Sequence, residues 1–355
     1  MLAAHRVQCT RFGAIPPVDE AMRAAACRRL DVLTKPRGAL GRLEPLAAQV
    51  CAIQGTLEIR IDQPVGIVFA ADHGVADRGV SAYPREVTAQ MVGNFLHGGA
   101  AISVLAKLQG VDLWIVDAGV DGACSAHPRL IEAKIRRGTR NFIDEPAMTP
   151  EECADALQWG RGVVGRVMPA GSNTLILGEM GIGNTAAAAM LMHGLTGREL
   201  IDCVGRGTGL DDRGLERKRQ LLAQALERRA APQDPLELLA EFGGYEIAML
   251  AGAVLAGAAR RALILVDGFT ATVAAALAAK LDARALDYCL FGHCSAEHAH
   301  HALLAHLEVQ PLLDLGMRLG EGSGAALALS VVRAAAALFT EMATFEGAGV
   351  SDKDA

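Results

Sequence analysis

The stretch PVGIVFAADHG, residues 64–74, decides the fold. A proline opens it, a short continuous apolar run follows, and an acid then leads into glycine. Runs of that length, rich in Val, Ile and Phe, mark a strand buried on both faces. Similar runs recur at Val111–Asp117, Thr174–Gly178, Ala262–Asp267 and, shorter, Tyr288–Gly292. Helical stretches separate them: Pro84–Leu108, one starting at Asn184, Thr270–Leu281, and one starting at Ser295. Strands alternating with helices predict an α/β fold with a mainly parallel sheet covered on both faces. Outside this alternation, Val18–Leu33, Gly41–Gln54 and the Ala-rich tail Ser323–Thr344 read as helices. The two ends of the chain are therefore expected to form a smaller second lobe.

Composition bounds the function. The chain has 355 residues, 51% hydrophobic and 21% charged, which excludes a disordered protein. A net charge of −6 argues against a nucleic-acid binder, which would show a basic face. The most apolar stretch, Ile247–Ala259, stops at Arg260 and Arg261, short of the ~20 residues a membrane span needs. The N-terminus, MLAAHRVQCTRFGAIPP, lacks the apolar segment of a signal peptide. These features lead us to expect a cytoplasmic location. The cysteines at 9, 27, 51, 124, 153, 203, 289 and 294 form no CxxC pair and suit reduced, mostly buried thiols.

Four strands run into an acid: Asp72, Asp117, Glu179 and Asp267. Ligands in open α/β sheets bind beyond the carboxyl ends of strands, so these acids read as a site rim. Taken singly, each could equally cap the next helix or turn. GEMGIGNT (178–185) joins a strand to a helix, and its free N–H groups suit a phosphate. GRGTGLDD (205–212) leads into a helix carrying Arg213, Arg217, Lys218 and Arg219. That run is either a solvated face or the source of a phosphate cation. HCSAEHAHH (293–301) is rich in histidine but lacks HExxH, so an exposed helix face is expected rather than a metal site. In RLGEGSGAALA (318–328), Glu321 stands between Gly320 and Gly322 at the mouth of a helix, where a carboxylate is stabilised and a ligand can approach closely.

These motifs, with KPRGALGRLE (35–44), ADHGVADRGVSAYPREVT (71–88), GGYEIAMLAGA (243–253) and VDGF (266–269), resemble nicotinate-nucleotide–dimethylbenzimidazole phosphoribosyltransferases in order and spacing from about residue 15 to 345. The resemblance implies a Rossmann-like catalytic domain over 60–310 and a smaller helical domain from 1–59 plus 311–355. It also implies a homodimer. The implied reaction gives α-ribazole 5′-phosphate and nicotinate from nicotinate mononucleotide and 5,6-dimethylbenzimidazole, in cobalamin synthesis, with no cofactor or metal. By resemblance, Glu321 is the general base. Glu179, Gly181, Gly207, Thr208, Asp267, Gly268 and Ser295 hold the ribose phosphate, with Lys218 as the phosphate cation. Leu319 and Gly320 border the substrate. The 80–91 stretch walls the base pocket, leaving open which of Ser81, Tyr83, Gln90 and Met91 faces the base. Two rival readings are a non-catalytic nucleotide- or azole-binding protein on the same scaffold and a metal-dependent hydrolase using the histidines.

Overall fold

The computed structural model describes residues 13–351. Cys9, most of the N-terminal segment read above and the last four residues lie outside them. In chain order the elements are α1 (Glu20–Asp31), α2 (Leu43–Gln54), β1 (Val65–Ala71), α3 (Glu86–Leu96), α4 (Ala101–Leu108), β2 (Asp112–Gly119), β3 (Leu130–Glu132) and α5 (Pro150–Val167). There follow β4 (Thr174–Met180), α6 (Asn184–Thr196), α7 (Leu200–Cys203), α8 (Asp212–Arg228), α9 (Pro235–Phe242), α10 (Tyr245–Ala259), β5 (Leu263–Val266) and α11 (Phe269–Leu281). The last are β6 (Cys289–Phe291), α12 (His298–His306), α13 (Ser323–Glu341) and α14 (Phe345–Ala348).

The six strands form one parallel sheet in the order β3-β2-β1-β4-β5-β6. All seven residues of β1 are buried, as an apolar run without alternation requires when helices cover both faces. Strand order reverses between β1 and β4, and such a switch point opens a crevice at the carboxyl ends of the strands. Helix starts are set locally. Asp19 accepts the Met22 N–H at the start of α1, and Thr149 with Glu152 forms a reciprocal capping box on α5. Among the described residues, the first helix and the turn after it meet the C-terminal helices. Leu33 bridges Thr344, and Arg29 donates to the carbonyls of Phe339 and Thr340 while stacking on the Phe339 ring.

Four details depart from the sequence reading. Pro84–Leu108 is not one helix but α3 and α4, broken where Gly98 takes a φ of +81°. The sixth strand, β3, is a three-residue edge strand too short to show a pattern. The helix expected from Ser295 begins at His298. Finally, Glu86–Leu108 and Ser323–Glu341 are both long and apolar enough to cross a bilayer by length and composition, which the shorter stretch Ile247–Ala259 weighed above is not. In the fold the first is broken by the turn at Gly98. The second packs into the core, with Ala325, Ala328, Leu329, Val332 and Phe339 buried.

Candidate active site

A small cleft of about 80 Å³ lies over the carboxyl ends of β4, β5 and β6. Its walls come from the loop after β4 (Glu179 to Thr185), Gly207 and Thr208, Gly268 to Thr270 after β5, Ser295 and Glu297 after β6, and Arg318 to Gly320 before α13. The expected residues Glu179, Gly181, Gly207, Thr208, Gly268, Ser295, Leu319 and Gly320 are thus brought to one place. Glu321, Asp267 and Lys218 sit immediately behind that lining.

Glu321 has a backbone φ of +67°, a region that costs a residue with a side chain roughly 1–2 kcal/mol. The surroundings over-determine it. Its N–H donates to the Glu179 carbonyl at 3.2 Å. The next residue, Gly322, donates to Asp267 Oδ2 at 2.9 Å, and Ala325 donates to Asp267 Oδ1 at 3.0 Å. The Glu321 side chain is only 5% exposed, and its buried Oε2 has no hydrogen-bond partner. Burial, reinforced by the charge of Asp267, pushes its carboxyl up to about 7. An acid poised near neutrality, with a free oxygen, can take a proton there. Backbone strain concentrated at such a residue is characteristic of functional sites.

Glu179 is buried beside it and accepts a hydrogen bond from the Asn184 side-chain amide. Burial, then the charges of Glu246 and Asp267, raise its carboxyl to about 8, against the Asn184 bond, which lowers it. This has a stability consequence. Between the ordinary carboxyl range near 4.5 and about 8, the unfolded chain is ionised and the folded one is not, so stability falls as pH rises through that window. Glu179→Gln removes the penalty. At pH 8 its melting temperature should exceed the wild type's by about 3 °C or more, while at pH 4 the two should coincide. Equal melting temperatures at pH 8 would show that Glu179 ionises there freely.

The other two strand-end acids do not face the cleft. Asp72 accepts the Asp121 N–H at 2.7 Å, and Asp117 accepts the Val120 N–H at 2.9 Å and pairs with Lys134. Asp117 is a turn acid, whereas Asp72 ties its strand end to Asp121, 49 positions on; of the four acids, Glu179 lines the cleft and Asp267 lies beside its Gly268 wall. Asp267 itself caps α13, a helix far along the chain, rather than the helix that follows it.

Lys218 is fully buried on α8. Its Nζ donates to Thr185 Oγ1 at 2.9 Å and to the Gly205 carbonyl at 3.2 Å, and burial brings its pKa down to about 8 against the pull of Glu297. Arg213 and Arg217 lie on the exposed face of the same helix. The charge run is therefore split between solvent and core. Of the base-wall candidates, Ser81 Oγ lies 3.4 Å from Thr208 Oγ1, which places it at the cleft rim. Tyr83 and Gln90 are exposed, Met91 packs partly on the core, and none of the three lines the cleft of this chain.

Sequence reasoning passed over several contributors. Thr88 is buried on α3 and its hydroxyl accepts the Ile182 N–H at 3.1 Å, tying that helix to the loop after β4. Arg318 lines the cleft as an exposed cation, and Glu297 faces Lys218 from within the lining. Arg318 and Glu297 stood inside quoted motifs, so proximity to those motifs was the available signal. The histidine cluster is divided by the helix: His298, His301 and His306 are exposed, and His293 and His300 are buried. His300 accepts the Ser295 N–H at Nδ1 and bonds Thr272 Oγ1 through Nε2, and burial drives its pKa down to about 3. Among the described residues no group of three or more His, Cys, Asp or Glu side chains is arranged to hold a metal ion.

This chain is similar to proteins of known class over nearly its whole length. The family model described as Phosphoribosyltransferase matches residues 15–350. The nicotinate-nucleotide–dimethylbenzimidazole phosphoribosyltransferase of Cupriavidus taiwanensis is 58% identical over 96% of this chain and 99% of its own length. The protein of the same name from Dechloromonas aromatica is 50% identical over 95% and 97%. The crystal structure of CobT from Thermus thermophilus superimposes with a TM-score of 0.90 at 46% identity, covering 93% of this chain and 99% of that one. The strained glutamate, the glycine-lined cleft at the sheet's carboxyl end and these full-length similarities agree, and the chain belongs to the nicotinate-nucleotide–dimethylbenzimidazole phosphoribosyltransferase family.

Proposed function

We propose that this protein transfers the phosphoribosyl group of nicotinate mononucleotide to 5,6-dimethylbenzimidazole, giving α-ribazole 5′-phosphate and nicotinate in cobalamin assembly. The observation that carries the reading is the Glu321 carboxylate, held in a strained backbone with one unpartnered oxygen and its pKa near neutrality. Nicotinate is bonded to ribose as a cationic pyridinium and leaves without a proton, so no general acid is needed. The incoming azole attacks the anomeric carbon through one nitrogen and must lose the proton on the other, which is the work of one base. Displacement from the opposite face inverts the anomeric centre. The remaining contribution is positioning and electrostatics by Glu179, Asp267, Gly268, Ser295 and the Gly205–Thr208 segment. A non-catalytic binder would gain nothing from the strain at Glu321. The test is incubation with nicotinate mononucleotide and a panel of azoles and phenols, with and without EDTA, and identification of the products. The α-ribotide should form equally in both arms, and absence of any ribotide would overturn the reading.

Lys218 acts on the phosphate from behind the Gly205–Thr208 segment, through the Thr185 and Gly205 groups it holds. Lys218→Ala removes the buried charge and frees the Thr185 hydroxyl and Gly205 carbonyl it holds, so it should weaken nicotinate mononucleotide binding and leave the free base's affinity nearly unchanged. Calorimetry with each ligand separates the cases, and equal losses for both would assign Lys218 to the fold alone.

We further propose a homodimer, supported by the apolar face of α4, where Val104 is 58% and Leu108 73% exposed. The reading of 1–59 plus 311–355 as a smaller helical unit is supported by the packing of α1 and α2 with α13. A cytoplasmic location fits the seven described cysteines, all of which are free thiols.

A further inference from the structure

Thr88 is polar and fully buried, yet the transfer proposed above gives it no part. It lies in the first turn of α3, the helix that carries Gln90 and Met91. Its Oγ1 accepts the Ile182 N–H at 3.1 Å. That N–H belongs to the turn Gly181–Asn184, which closes on the bond from the Asn184 N–H to the Gly181 carbonyl and so leaves the Ile182 N–H for an outside acceptor. The rest of the turn is pressed onto the end of β1. A Cβ at Gly181 would overlap the Ala71 carbonyl oxygen, and one at Gly183, which has a φ of +97°, would lie 3.3 Å from the Ala76 Cβ. On the other side of the turn, Gly181, Ile182 and Asn184 line the cleft, and Asn184 donates to the Glu179 carboxylate.

We propose that Thr88 is a positioning residue for the transfer: its hydroxyl holds the Gly181–Asn184 turn, and through Asn184 the Glu179 carboxylate, in the place that presents the sugar to Glu321. The inference rests on the phosphoribosyl-transfer reading given above. Two observations support it. A threonine in a helix commonly returns its hydroxyl to a carbonyl one turn back in that helix, whereas the Thr88 oxygen serves an N–H 94 positions along the chain, in the cleft wall. The same hydroxyl also acts on the end of β1: burial raises the Asp72 carboxyl, and the Asp121 N–H and the Thr88 hydroxyl oppose that rise. Thr88 therefore stands between the strand end of β1 and the turn after β4, at the point where the strand order reverses. A valine there would keep the branched shape and leave the Ile182 N–H buried without an acceptor. Losing an acceptor in a buried setting is costly, and a turn built on glycines relieves the loss by moving.

The experiment is steady-state kinetics at saturating nicotinate mononucleotide and 5,6-dimethylbenzimidazole for wild type, Thr88→Val and Thr88→Ser, with amide hydrogen exchange of the peptide containing Ile182. In Thr88→Val, kcat should fall by about tenfold or more, because a displaced turn misplaces the sugar, and exchange at Ile182 should quicken. Thr88→Ser keeps the hydroxyl and loses only the methyl group, so its kcat should stay within about twofold of wild type and its exchange should not change. Wild-type kcat in Thr88→Val, or equal losses in the two variants, would overturn the proposal and leave Thr88 a packing residue. Should Thr88→Val fail to fold, Thr88→Cys takes its place. Its thiol has the shape of the serine side chain but is a weak acceptor, so its kcat should fall about tenfold below that of Thr88→Ser, and equal rates for the two overturn the proposal. Failure of the underlying reading looks different: wild type itself would then form no ribotide.

Discussion

Glu321→Gln should lose about 10²- to 10⁴-fold in kcat, because an amide cannot take the azole proton. The isosteric amide keeps the backbone bond to Glu179 and the Asp267 contacts of the neighbouring residues, so binding of the nucleotide should change little. The pH profile gives a second signature. With its carboxyl near 7, Glu321 must lose its proton to act, so wild-type kcat should fall as pH drops below about 7, and the variant should lack that limb. Stability runs the other way. A carboxyl whose folded pKa is raised favours the fold below the ordinary range and loses that contribution as pH rises through about 7. The variant should therefore be at least as stable as wild type above pH 7. Near-normal turnover with dimethylbenzimidazole would sink the base assignment, and a large drop in melting temperature would assign the residue to the fold.

The second large effect is expected at Gly178, a residue of β4 that does not itself line the cleft. A Cβ there would lie 2.5 Å from the Glu321 carbonyl oxygen and closer still to the Glu321 carbonyl carbon and the Gly322 nitrogen. These are backbone atoms, so no rotamer change relieves the overlap, and the Glu321 loop must move. Displacements of about 1 Å at a reacting group cost on the order of 10²-fold in rate. Gly178→Ala should therefore be crippled by about that factor while still binding nicotinate mononucleotide. Gly165→Ala, in α5 with no atom near its added methyl, is the matched control. It should keep full activity and gain up to about 1 kcal/mol from helix propensity. A fully active Gly178→Ala would mean that the base loop does not need its close seat on β4.

Much of this was legible along the chain. The central strands declared themselves because parallel strands covered on both faces must be apolar without interruption, which residues 64–71, 175–178 and 262–266 are. The glycine-bracketed Glu321 and the loops at 178–185 and 205–212 stood out for similar reasons, since glycine at such density marks close approach. What failed were judgements that depend on direction. Asp72 and Asp117 follow strands in the same pattern as Glu179 and Asp267, yet they bond to the Asp121 and Val120 N–H groups, away from the cleft that Glu179 lines. Lys218 and Arg217 are adjacent on one helix, yet one is in the core and the other in solvent.

The sequence by itself determined the class of fold, the loops that form the site and the family to which the chain belongs, because hydrophobic period, strand-end acids and motif spacing are properties of neighbouring residues. Only the tertiary structure decided which acids matter and how they are tuned. The pKa of Glu321 is set by burial and by Asp267, more than fifty positions earlier, and Asp267 is itself faced by His293 from beyond β6. Those charges meet because parallel strands deliver their carboxyl ends to one edge of the sheet, where the low dielectric of a buried cleft makes their mutual effects strong. Coupling of that kind depends on distance in space, which no local pattern of residues encodes.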